Sequence, residues 1–272
     1  MIPVMFRIRI YSLFNGFETK TIYQLDTKGI PKKVRIMGRV STGVPGLDQM
    51  LNGGLIAGRA YLVKGGPGLG KTTLSIQFLM EGVRRGEEVL YITLEEPLDM
   101  VKQDMKELGF DLTNPLFHGI DATPISKKTY IFEAAYYEEF AESFEKFIRA
   151  VEERLKEHNI TRVAIDPITM IRLTTRSELE YRRLFIELLK VFTKFNTTVI
   201  ITSDIEKHEY VGVEDYLTSG IIELKRYDVG GKIIKGIQVL KFRGSLFDED
   251  VRPYKFGGSG IEVYASESLY AR

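Results

Sequence analysis

The chain has 272 residues, no cysteine, three histidines, and 38 basic against 37 acidic side chains for a net charge of +1. That length admits one large α/β domain or two small ones. The charge balance gives no bulk electrostatic case for nucleic acid or membrane binding, the missing cysteines exclude disulfides and thiolate metal sites and suit a reducing cytoplasm, and no apolar run is long enough to span a bilayer.

Residues 1–36 differ in pattern from the rest of the chain. Two alternating apolar segments, 6–12 and 19–25, flank Asn15-Gly16, a strong hairpin signal. Together they predict a small N-terminal β extension that covers a sheet edge or a neighbouring subunit. Met37 directly precedes Gly38, which leaves open that residues 1–36 are a non-native start. Residues 37–272 read as one further domain.

From residue 38 onward strand and helix patterns alternate. Strands are predicted near 59–64, 89–94, 116–120, 162–166 and 197–203, with helices at 71–85, 98–108, 130–158 and 177–195. The long helix carries Ala134, Phe140, Phe144, Phe147, Ile148, Val151 and Leu155 on one stripe. Such alternation implies an α/β fold with a mostly parallel sheet flanked by helices. After residue 210 the helices are expected to stop. Runs at 220–226, 233–243, 251–256 and 260–264 predict antiparallel strands that extend one sheet edge. His118, His158 and His208 are scattered along the chain, so no zinc-type constellation is assembled from their spacing, and each reads as a surface or internally satisfied histidine.

Gly65 to Thr73 carries the strongest chemical signal. Gly65, Gly70, Lys71 and Thr72 fit the phosphate-loop pattern, two glycines five apart followed by Lys and a hydroxyl residue. The apolar run Ala60-Tyr61-Leu62-Val63 precedes it, and Leu74, Phe78, Leu79 and Val83 follow at helical spacing. Strand, glycine loop and helix is the arrangement that turns backbone N–H groups around an anion and adds the positive end of a helix. Lys71 is placed to reach terminal phosphates and Thr72 to hold Mg²⁺. A dinucleotide fingerprint is excluded, because Lys71 stands where its third glycine belongs.

A phosphate loop binds, but hydrolysis also needs carboxylates. Asp166 closes the apolar strand Arg162-Val163-Ala164-Ile165 at the end where ligands bind in open parallel sheets. It suits Mg²⁺ duty, or else caps the turn before Pro167. Glu95 and Glu96 follow the strand Val89 to Thr93 and read either as a water-polarising pair or as the acidic start of the next helix. Thr202 and Ser203 end another buried strand with hydroxyls that could sense a γ-phosphate.

These features share an order with Ser41-Thr42-Gly43-Val44-Pro45-Gly46-Leu47-Asp48, Leu51-Asn52-Gly53-Gly54-Leu55 and the late Lys241-Phe242-Arg243-Gly244. In that order they resemble a single KaiC-type domain of the RecA/RadA superfamily, similar to archaeal one-domain KaiC homologues, over about residues 38–265. The resemblance implies a RecA-like P-loop NTPase core assembled as a homo-oligomeric ring, usually hexameric, with ATP and Mg²⁺ between subunits. It implies that Gly65, Gly66, Pro67, Gly68, Leu69, Gly70, Lys71, Thr72 and Thr73 hold the nucleotide, that Glu95 and Glu96 activate water, and that Thr72 and Asp166 serve the metal. Lys241 and Arg243 would then reach the neighbour's γ-phosphate. On the residues alone those two are outward positions of an edge strand.

The sequence departs from the clock protein in having one domain rather than two in tandem. The place of that protein's phosphorylated Ser-Thr pair falls on Asp215 and Tyr216, which leaves autokinase activity unsupported, with only Thr218 and Ser219 close by. Three functions are therefore open: an ATPase acting as an oligomeric switch or motor, a DNA-binding recombinase or mediator, and an ATP-controlled signalling module with protein partners. The second would use pore loops near Arg172–Ser177 and Glu206–Gly212, with Tyr210 for stacking.

Overall fold

Each central strand is apolar on both sides, and that forces a sheet with helices over both faces. A computed structural model describes residues 21–25, 31–35, 38–123, 140–204 and 212–269. A separate two-stranded antiparallel sheet pairs β1 (Thr21–Leu25) with β2 (Pro31–Arg35). The segments then run β3 (Arg39–Val40), α1 (Pro45–Met50), β4 (Leu55–Ile56), β5 (Ala60–Gly65), α2 (Lys71–Arg84), β6 (Glu88–Thr93), α3 (Leu98–Glu107) and β7 (Phe117–Asp121). They continue with α4 (Phe140–Glu157), β8 (Ile160–Asp166), α5 (Thr169–Thr174), α6 (Glu178–Lys194) and β9 (Thr198–Asp204). The last are α7 (Val213–Leu217), β10 (Gly220–Val229), β11 (Lys232–Phe242), β12 (Arg252–Gly257) and β13 (Gly260–Val263).

The main sheet has nine strands in the order β13-β12-β11-β10-β5-β9-β8-β6-β7. β10 through β7 are parallel, while β11, β12 and β13 are antiparallel. This is the α/β architecture expected from sequence, with its antiparallel C-terminal strands. Successive residues feed opposite cores, as the two-residue strand period demands. Tyr61, Val63, Val89, Tyr91, Ala164 and Ile200 pack with Leu74 and Phe78 of α2. Leu62, Leu90, Ile92, Val163 and Ile165 face the other way, onto Phe144 and Phe147 of α4 and Phe185 and Leu188 of α6.

One expectation changes. Helices do not stop at residue 210, because α7 follows. Five residues are too few to show a period, and the Asp215 carboxylate that accepts from Gly212 N (2.8 Å) is a local cap that apolar patterning ignores. The apolar segment 19–25 contributes β1, which pairs with β2, a segment that apolar patterning does not mark because Pro31 and two lysines open it. Segment 6–12 and Asn15-Gly16 lie outside the described residues. So does the start of the predicted 130–158 helix, including Ala134, and the described part begins at Phe140.

Ser41 to Asp48, the segment that carries much of the resemblance, is a structural clasp. Asp48 accepts from Ser41 Oγ (2.6 Å), Thr42 N (2.7 Å) and Thr42 Oγ1 (2.7 Å), which fixes the turn ahead of α1. The clasp is tied to the sheet by Arg162 of β8, whose side chain is 1% exposed. Its guanidinium pairs with Glu87 (2.7 Å), donates to Ser41 O (2.7 Å) and Phe78 O (3.1 Å), and lies over the Phe78 ring. Gly82 makes this possible, since a Cβ there would stand 2.7 Å from Arg162 Cδ. A buried guanidinium is tolerated only when its donors are satisfied.

Arg162→Ala leaves Glu87 and two carbonyls without that donor and should lower stability by about 3 kcal/mol. The expected readout is a lower urea midpoint with unchanged slope, while Arg162→Lys, lacking the planar fork, should recover only part of the loss.

Candidate functional site

Parallel register carries the carboxyl ends of β5, β6, β8 and β9 to one edge of the sheet. Gly65 lies opposite Asp204, and Thr93 opposite Asp166. The chain leaves β5 through the glycine loop and enters α2 at Lys71. Gly70 caps that helix with φ 93°, and a Cβ there would meet the Phe256 ring at 2.7 Å, so both conformation and space require glycine. Tyr254 Oη donates to Leu69 O (2.7 Å) and Arg226 reaches Pro67 O (3.4 Å), so β12 and β10 brace the loop from outside. Thr72 is half-buried in the first turn of α2 and Thr73 is buried.

Lys71 turns back over the loop. Its Nζ donates to Gly65 O (2.8 Å) and Gly66 O (3.3 Å) and pairs with Asp204 Oδ1 at 2.8 Å. Sequence reasoning stops at Ser203 and misses Asp204, although the rule that finds Asp166 (an acid closing a buried parallel strand) applies to it equally. Asp166 itself is buried. Tyr91 Oη donates to its Oδ2 (2.9 Å) and Thr202 Oγ1 donates to its Oδ1. The Thr202 hydroxyl therefore serves the carboxylate. Ser203 Oγ lies 3.5 Å from Thr169 Oγ1, whose oxygen accepts from Asp204 N (3.0 Å). Tyr91, the second residue missed, sits one strand away with its hydroxyl on the same edge. Burial, followed by the Asp166 charge, drives its pKa well above the ordinary phenol value.

Glu95 is exposed and Glu96 half-buried, directly after β6. Both have raised pKa values. For Glu95 the causes are desolvation, then the charges of Asp204 and Asp166, with Lys71 opposing. For Glu96 they are desolvation, then Asp104, Asp166 and Glu95. Glu95, Asp166, Asp204 and Lys71 thus form one electrostatic unit. These three carboxylates, with the half-buried Thr72 next in sequence to Lys71, offer the oxygen-only donor set that a hard divalent cation such as Mg²⁺ takes. Above them, loop glycines and a helix N-terminus suit a polyphosphate.

Lys241 and Arg243 are elsewhere. Lys241 pairs with Ile221 in β10, and Ile221 pairs with Leu62 in β5, so both basic residues lie toward the amino edge of the sheet, away from their own glycine loop. Lys241 Nζ donates to Asp215 O (2.5 Å) and Thr218 O (2.6 Å), and Arg243 donates to Tyr216 O (2.9 Å), so both close the carboxyl end of α7. Arg243 is exposed. Asp215 is committed to Lys64 at 2.9 Å, while Tyr216 is exposed. Of the proposed pore loops, Arg172 belongs to α5, and residues 205–211 lie outside the described residues.

A protein-family model described as "ATPase: KaiC" matches residues 40–268. A UPF0273 protein of Pyrococcus furiosus is 29% identical over 239 residues, covering 85% of this chain and 96% of that protein. A UPF0273 protein of Methanopyrus kandleri is 31% identical, with 83% and 91% covered. The circadian clock oscillator protein KaiC of Prochlorococcus marinus is 28% identical over 252 residues, and the chain spans 47% of its length. Among the described residues no helix is long and apolar enough to cross a membrane.

A raised carboxyl pKa means the folded state favours protonated Glu95, so this contribution to stability is present at low pH and is lost as pH rises through the folded value. NMR titration of Glu95 should give a midpoint above the ordinary glutamate range. Asp204→Asn should lower it, because a like charge is removed and Lys71 is released toward Glu95. An unchanged midpoint in the variant would show that Asp204 does not act on Glu95.

Proposed function

Because the chain belongs to the KaiC family of ATPases, we propose that it binds ATP with Mg²⁺ at the carboxyl edge of the sheet, hydrolyses it slowly, and works as a ring of identical subunits, hexameric by resemblance. In this reading residues 37–272 are the ATPase domain, and residues 1–36 are either a β extension to it or a non-native start. The observation that carries the reading is the convergence of the glycine loop, Lys71, Asp166, Glu95 and Asp204 on one edge.

Loop N–H groups from Gly66 to Gly70 cradle the phosphates, and Lys71 exchanges Asp204 for a phosphate oxygen. Thr72 and, through water, Asp166 would hold Mg²⁺, which when bound would supply positive charge to offset that of the phosphates. Glu95, nearest to Asp166, Asp204 and Lys71 in electrostatic terms, takes the proton from the attacking water, and Glu96 supports it. The water oxygen bonds to the γ-phosphorus, the bond to the β-phosphate oxygen breaks, and ADP leaves with the electron pair. The raised Glu95 pKa makes it a better proton acceptor than an ordinary glutamate.

Lys241 and Arg243 complete the site in trans. Their position away from their own loop fits donation to an adjacent copy, where a cation on the transferring phosphoryl group is worth roughly a thousandfold in rate. Hydrolysis then depends on assembly.

Phosphate release from purified protein with Mg-ATP tests the assignment. Lys71→Ala and Glu95→Gln should each retain less than about one hundredth of the wild-type rate, and equal rates in all three proteins would sink it. Arg243→Ala should be similarly slow alone. An equal mixture of Lys71→Ala and Arg243→Ala, reassembled together, should exceed the sum of its parents, because some interfaces then join an intact loop to an intact finger. No gain on mixing would argue against the trans role.

A further inference from the structure

Two histidines that look unrelated in sequence meet in the fold, which corrects the reading of His118 and His158 as scattered. Parallel crossovers return every strand to the same edge, so residues far apart in the chain become neighbours at the amino ends of β7, β6 and β8. Glu88 opens β6, His118 is the second residue of β7, and His158 stands just ahead of β8. His118 Nε2 lies 3.0 Å from Glu88 Oε2, and His158 Nδ1 lies 2.9 Å from the same oxygen. The two imidazole rings lie against each other, centroids 3.8 Å apart and tilted by 31°. All three donor atoms fall within 4.8 Å of one another. None of these residues belongs to the nucleotide site, which occupies the opposite edge.

We propose that Glu88, His118 and His158 form a second metal site, a two-histidine, one-carboxylate centre for a divalent transition metal of the zinc class. Tetrahedral zinc with bonds of about 2.0–2.1 Å needs donor atoms roughly 3.3 Å apart. The two nitrogens already face one carboxylate oxygen at 2.9 and 3.0 Å, so each has only a few tenths of an ångström to open. Each ring then carries its proton on the other nitrogen. The fourth position takes water. His118 is 12% exposed, His158 31% and Glu88 32%, so the centre is sheltered yet open to an ion.

The chemistry selects the metal class. Neutral imidazole suits zinc, copper and nickel, whereas Mg²⁺ and Ca²⁺ demand oxygen donors. Arg154 of α4 is close enough for its charge to be felt at His118. That charge opposes any cation held by electrostatics alone and leaves the advantage to metals with strong bonds to nitrogen. Bound there, the metal ties β6, β7 and the corner between α4 and β8 into one clip. It would stabilise the folded chain by mass action without touching the ATP site.

Calorimetric titration of Zn²⁺ into nucleotide-free full-length protein, with Mg²⁺ in excess to occupy the carboxylate edge, tests the site. One equivalent per chain is expected, together with a Zn²⁺-dependent rise in melting temperature. The double variant His118→Ala/His158→Ala should bind more than about 100-fold more weakly, beyond the loss an outer-shell partner causes. If that variant does not fold, His158→Gln, whose amide still hydrogen-bonds Glu88 but ligates poorly, should show the loss instead. Binding well below one equivalent in wild type, or unchanged affinity in the folded variant, would overturn the proposal.

Discussion

The in-register parallel pairing of β5, β9, β8 and β6 is the constraint on which the rest of the molecule depends. Every residue of β8 is buried, and its neighbours alternate between two filled cores. A slip of one residue would exchange the two faces of a strand, so the register is held by both cores at once. With the register fixed, the strands end together, and Gly65, Asp166 and Asp204 must share one edge. The same constraint brings Glu88, His118 and His158 together at the other edge. Position in the chain decides neither site, whereas position along a strand decides both.

Charge then gives the carboxyl edge its character. Asp166 and Asp204 both repel Glu95, and Lys71 is the ammonium that ties Asp204 in. Such a set favours a divalent cation between the acids and a polyanion on Lys71, because each relieves a like-charge contact or replaces an existing partner. Asp166 is held on both oxygens, by Tyr91 and Thr202. This fixes its direction while leaving lone pairs to accept from water. The loop is braced as firmly, with Tyr254 on Leu69 O and the Phe256 ring against Gly70. A rigid cradle beside repelling acids is a site whose order exists before any ligand arrives.

The fold is legible in the sequence wherever periodicity is long. The 177–195 pattern becomes α6, its Ser177 cap accepting from Glu180 N, and the strands preceding Gly65, Glu95 and Asp166 lie where apolar runs put them. Short features are not legible: α7 has five residues, and β2 opens with proline and lysines. At the candidate site, the glycine loop, Glu95, Glu96 and Asp166 can be read because each follows an apolar run. Asp204 obeys the same rule but is overshadowed by the hydroxyls before it. Tyr91 cannot be read at all, since a buried tyrosine in a strand gives no sign that its hydroxyl meets a carboxylate one strand away. The Ser41–Asp48 motif, recognisable as a signature, forms a clasp for Arg162 and the turn before α1.

Under the proposed function, one sheet edge binds the nucleotide by transferring Lys71 from Asp204 to phosphate. An experimental structure with Mg²⁺ and a non-hydrolysable ATP analogue tests it most directly. The phosphates are expected inside the Gly66–Gly70 loop, with Lys71 Nζ on a phosphate oxygen and away from Asp204, and with Glu95 facing the γ-phosphate. Nucleotide bound at another surface, or phosphates outside the loop with Lys71 still on Asp204, would contradict it.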